Sequence, residues 1–97
     1  MNIQALEESN ILSISIDQAH RFFEMTVSLQ DGACCKLRAW NDDGLKLAIR
    51  LGALNLHARA DLGELEGISL ADNVLILEGD FGDIEIEATN VVVEKLK

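Results

Sequence analysis

The chain has 97 residues, enough for one domain with a modest core, and its 17 acidic against 8 basic residues give a net charge of −9. That balance argues against DNA or RNA, whose phosphates must be neutralised by lysine and arginine, and against an anionic membrane surface. The opening MNIQALEESN lacks the pattern of a signal peptide, no apolar run approaches the roughly 20 residues of a membrane span, and two cysteines make no disulfide framework, so a reduced cytoplasmic protein is the expectation.

In chain order, apolar residues recur at every second position, the signature of half-buried strands. Leu12, Ile14 and Ile16 alternate with Ser13, Ser15 and Asp17. A connection carrying His20 follows. Phe23, Met25, Val27 and Leu29 then alternate with Glu24, Thr26, Ser28 and Gln30. The next limb holds both cysteines and the single tryptophan, in Gln30-Asp31-Gly32-Ala33-Cys34-Cys35-Lys36-Leu37-Arg38-Ala39-Trp40.

A two-residue Asp31-Gly32 turn would set Val27 opposite Lys36 and Met25 opposite Arg38, and a one-residue slip exchanges the faces of a strand. A three-residue loop, Gln30 to Gly32, removes the conflict. Leu29 then faces Ala33, Val27 faces Cys35, Met25 faces Leu37 and Phe23 faces Ala39. On the other face Ser28 meets Cys34, Thr26 meets Lys36, Glu24 meets Arg38 and Phe22 meets Trp40. Gly32 occupies the loop position that needs a left-handed backbone.

Beyond it, Leu45, Leu47, Ile49 and Leu51 alternate with Lys46, Ala48 and Arg50. A Gly52-Ala53 turn would set Ile49 against Leu56 and Leu47 against Ala58, although Lys46 would then face Arg59, and residues 45–60 also suit a partly helical reading. Across Asp72-Asn73, Leu70 is expected to face Leu75 and Ile68 to face Leu77. After turn formers from Asp80 to Asp83, Ile84 and Ile86 alternate with Glu85 and Glu87. Three β-branched residues in a row, Val91 to Val93, suggest a strand buried on both faces or a bulge. Together these elements predict a single all-β domain over residues 1–97, an antiparallel meander forming a sandwich or barrel of about eight to ten short strands.

No catalytic residue, metal ligand or cofactor is expected. Adjacent strand residues point to opposite faces, so Cys34 and Cys35 cannot chelate one ion together, and no motif brings His20 or His57 to Cys34 as a base. Zinc spacing is absent. The acidic run Glu78, Asp80, Asp83, Glu85 and Glu87 lacks the pattern of a calcium loop and reads as a solvated face or a contact for a basic partner. Asp80-Phe81-Gly82 spells the kinase metal-binding triplet without any of the accompanying motifs.

Phe22 and Trp40 would form an aromatic pair on an otherwise polar face. Either the N-terminal segment Ile3 to Leu6 covers them, which is the expectation, or they are a contact site. The leading functional reading is a small acidic, non-enzymatic protein-binding module of the immunity or inhibitor type. Its contacts would be Phe22, Glu24, Arg38, Trp40, Glu85 and Glu87, and its partner a basic protein or a second copy of itself. The alternatives are a small barrel holding an apolar ligand, and an enzyme without a recognisable site.

Overall fold

A computed structural model describes residues 3–52 and 63–96. They form a 3-10 turn, Ile3–Leu6, and eight strands: β1 (Ser9–Ile16), β2 (Phe22–Ser28), β3 (Cys34–Trp40), β4 (Ala48–Leu51), β5 (Glu64–Ala71), β6 (Val74–Gly79), β7 (Gly82–Glu87) and β8 (Asn90–Leu96). All neighbouring strands are antiparallel, and they make one sheet in the order β4-β7-β6-β5-β1-β2-β3-β8. The chain is all-β, as its periodicity predicts.

The sheet has two four-stranded halves joined at a narrow seam. β1 meets β5 only through Ser9 with Leu65 and Asn10 with Glu64. The inner rows of both halves nevertheless belong to one core cluster, with Phe23, Met25 and Val27 from β2, Cys35, Leu37 and Ala39 from β3, and Leu65, Leu75, Leu77 and Ile86 from the other half. One half therefore folds over the other, as in a sandwich. Burying each large apolar side chain of this kind contributes about 1.5–3 kcal/mol, and a strand whose other face is polar gains that only in one register.

Three hairpins follow from local chemistry. β2 and β3 pair Phe22 with Trp40, Glu24 with Arg38, Met25 with Leu37 and Val27 with Cys35, the register expected from a three-residue loop. Gly32 has φ 89° there, and its N–H donates to Leu29 O at 2.9 Å. Leu70 faces Leu75 and Ile68 faces Leu77, across Asp72 and Asn73, whose φ angles of 52° and 63° define the tight turn. Between β6 and β7 the turn residues are Asp80 and Phe81, and the Phe81 ring is buried in the core. The Asp80-Phe81-Gly82 triplet is thus a hairpin turn that drops an anchor inward.

The structure departs from the sequence pattern in β1, β4 and β8. The register of β1 shifts between Ile11 and Ser13, so Ile11 joins the core while Leu12 is 56 % exposed. This bulge breaks the expected Leu12-Ile14-Ile16 row. The strand expected from Leu45 begins only at Ala48, leaving Leu45 exposed and Leu47 buried. It pairs with β7, Ile49 against Ile86. The expected partners Leu56 and Ala58, with Arg59 and His57, lie outside the described residues. Val91 to Val93 form neither a doubly buried strand nor a bulge. They lie in the regular edge strand β8, whose pairing with β3 runs unbroken from Asn90 to Leu96. Val91 and Val93 pack on the core while Val92 points outward.

The N-terminal segment also departs from expectation. Leu6 is fully buried in the core and Ile3 packs against it. Ser9 Oγ donates to Leu6 O at 2.5 Å, and Glu8 N donates to Leu65 O at 2.7 Å. The segment is therefore tied to β5, not laid over the aromatic pair.

Candidate functional site

The outer face of the β2–β3 hairpin carries the expected aromatic pair. Phe22 and Trp40 are directly cross-strand, at 39 % and 36 % exposure. An aromatic pair in that position stabilises a hairpin by roughly 0.2–1 kcal/mol, but leaves much of both rings in water. Asp17 closes the neighbouring strand end, its N–H donating to Phe22 O at 3.1 Å.

One step along the hairpin, Glu24 lies between two cations. Its Oε2 is 3.4 Å from Arg38 Nε and 3.5 Å from Lys36 Nζ. Arg38 also reaches Glu94 of β8 at 3.8 Å. These exposed pairs contribute little to stability, and Arg38 lines the same side of the hairpin as the two rings. A groove of about 470 Å³ opens here, lined by Arg21, Phe22, Glu24, Arg38, Trp40, Asn41 and Gly44.

The far rim of the groove is held by Asn41. Its Nδ2 donates to Leu45 O and Lys46 O at 3.3 and 3.1 Å, and its Oδ1 accepts from Thr89 N at 3.0 Å. Asp42 N donates to Thr89 Oγ1 at 2.7 Å, and Asn90 Nδ2 donates to Asp42 Oδ1. Gly44, with φ 71°, closes the turn by donating to Asn41 O at 3.0 Å. The loop after Trp40 is thus stitched to the start of β8, and the rim is preorganised.

Phe22, Glu24, Arg38 and Trp40 therefore come together. Glu85 and Glu87 do not join them. They stand on the outer side of β7 in the other half of the sheet, where Arg50 of β4 reaches Glu85 at 2.7 Å and Glu87 at 3.4 Å. The hydrogen bond from Arg50 holds the Glu85 carboxyl below its ordinary range, and that bond likewise raises the Arg50 guanidinium. Arg21, Asn41 and Gly44 also line the groove, although the strand pattern does not single them out. Arg21 and Asn41 flank the two aromatics in sequence, so the hairpin register itself was the available signal.

Cys34 and Cys35 fall on opposite faces, the first half-buried and the second fully buried. Among the described residues no group of three or more His, Cys, Asp and Glu side chains is placed to hold a metal ion, and no helix is long and apolar enough to cross a membrane. No family model matches the chain, and neither a curated protein nor a solved structure matches it.

Proposed function

We propose that this protein is a non-enzymatic binding module that docks a basic protein partner on the outer face of its β2–β3 hairpin. The observation that carries the reading is the exposed Phe22–Trp40 pair in a groove whose rim is fixed by hydrogen bonds. Tryptophan and arginine are among the residue types enriched where binding energy concentrates, and the groove holds Trp40 and Arg38. The net charge of −9 of the whole chain would draw a basic partner and speed encounter, while the charged side chains lining the groove itself are Arg21, Glu24 and Arg38. An inhibitor or immunity protein masking a basic target is the concrete form of this reading.

A barrel holding an apolar ligand would need room along its inner rows. Phe23, Met25, Leu37, Leu65, Leu75, Leu77 and Ile86 are all at 0 % exposure, so the interior they line is packed by side chains, which favours a surface site over an enclosed one.

The test is affinity capture at low and high salt with the wild-type chain, Trp40→Ser, and the double variant Phe22→Ser, Trp40→Ser. The expected outcome is a discrete basic protein retained by the wild type, weakened by salt and lost with the double variant. Equal retention by wild type and double variant would remove the groove from the interface.

A further inference from the structure

The two edges of the sheet differ. β4 is four residues long, with Arg50 engaged by the glutamates of β7. β8 is a seven-residue strand, Asn-Val-Val-Val-Glu-Lys-Leu, with no proline and no bulge to blunt it, and edges of that kind invite pairing. The groups it leaves open follow from alternation. Leu29 N donates to Ala33 O at 2.7 Å, which makes these a hydrogen-bonded pair of the β2–β3 ladder. Residues 35, 37 and 39 of β3 therefore bond to β2, and residues 34, 36, 38 and 40 bond to β8. Their partners are Leu96, Glu94, Val92 and Asn90. The N–H and C=O groups of Val91, Val93 and Lys95 consequently point to the open edge, where no partner stands among the described residues.

We propose that β8 is a dimerisation edge, on which a second copy of this chain pairs its own β8 antiparallel about a two-fold axis through Val93. Antiparallel self-pairing makes an isologous, closed contact, and inner residues must meet inner residues for the two sheets to continue. Centred on Val93, the pairing sets Val93 against its own copy and Val91 against Lys95, so every open-edge N–H and C=O finds a partner. Centred on Val92 it leaves the groups of Lys95 unpaired, and centred on Glu94 it sets that carboxylate opposite itself and Val93 opposite Lys95. On the outer face the favoured register covers Val92, which is 39 % exposed, with the stem of Glu94 from the second copy. Although the whole chain carries −9, β8 holds one glutamate and one lysine, so the seam has no net charge.

A perpendicular two-fold keeps the outer faces on one side. The dimer would display two aromatic grooves together, each one strand in from the seam, since Trp40 pairs with Asn90. The inference does not depend on what the groove binds, and either reading can fail alone.

Sedimentation velocity from micromolar to submillimolar concentration is expected to show a reversible dimer. Val93→Pro removes an N–H that serves no bond among the described residues, and proline is tolerated at such edge positions. It is expected to weaken the dimer at least about tenfold with an unchanged far-UV spectrum. In a Cys34→Ser background with oxidised glutathione, Val93→Cys should form a disulfide-linked dimer and Val91→Cys should not, because a hydrogen-bonded pair sits about 5.5 Å apart and only residue 93 meets itself. This second pair of variants decides the matter if the proline variant does not fold. A wild-type chain that stays monomeric throughout, or a dimer in which residues 91 and 93 cross-link equally, would overturn the proposal.

Discussion

Cys34 and Cys35 are neighbours in sequence, yet the pleat of β3 gives them different chemistry. Burial pushes the Cys35 thiol up from its ordinary value, because the charged form loses its hydration inside the core. A thiol whose folded value lies above its unfolded value contributes stability that is fully present below the unfolded pKa, about 8.5, and is lost as pH rises through the folded value. Urea unfolding at a series of pH values should therefore show stability falling on the alkaline side. Cys35→Ala should flatten that fall and Cys34→Ala should not. Alkylation with iodoacetamide should modify Cys34 in the native protein and Cys35 only after unfolding, as read by peptide mass. The outer aromatics behave differently from the core. Leu37→Ala empties a fully buried site and should cost about 2–5 kcal/mol, whereas Trp40→Ser, at a position 36 % exposed that leaves no core cavity, should cost about 1–2 kcal/mol, measured by the same unfolding. That contrast is what lets Trp40 be removed as a test of binding without losing the fold.

At the scale of elements, glycines separate turn chemistry from packing. Gly32 stands in open space with φ 89°, so Gly32→Ala should cost only the left-handed penalty, about 1 kcal/mol. Gly79 has no such torsion, but a β-carbon there would overlap Glu64 O and the Phe81 ring. Those groups belong to a clasp in which Asp80 N donates to Glu64 O at 3.2 Å and Glu64 N donates to Asp80 Oδ2 at 3.0 Å. Gly79→Ala should therefore cost about 2 kcal/mol or more by denaturant melts. The contrast also marks what the sequence made legible. The β2–β3 register was readable because apolar parity, the Glu24–Arg38 pair and Gly32 all constrain the same few residues. The β5–β6 hairpin was readable for the same reason. The Leu12 bulge was not, because an extra residue in a ladder leaves the local pattern nearly unchanged. Neither the β3–β8 nor the β4–β7 pairing was legible. Each joins segments far apart in the chain, with no turn between them to set the register. Of the candidate site, Phe22, Glu24, Arg38 and Trp40 followed from the hairpin alone. Glu85 and Glu87 were grouped with them by charge, and the β4–β7 pairing gives them to Arg50 instead.

For the molecule as a whole, the folded-over sheet assigns three roles to its surfaces. The inner rows make the core, the β8 edge leaves backbone groups without a partner among the described residues, and the outer face of β2–β3 presents two rings beside charged side chains. On the proposed function this last face docks a basic partner. Because Trp40 is the only tryptophan in the chain, 5-fluorotryptophan labelling places a single reporter in the groove, and an unlabelled partner adds no signal of its own. The most direct measurement is the ¹⁹F spectrum of the labelled protein, alone and with the protein it captures. Docking in the groove should shift or broaden the single resonance on complex formation, and the change should weaken as salt is raised. A complex that forms with the Trp40 resonance unmoved would place the interface elsewhere and contradict the account.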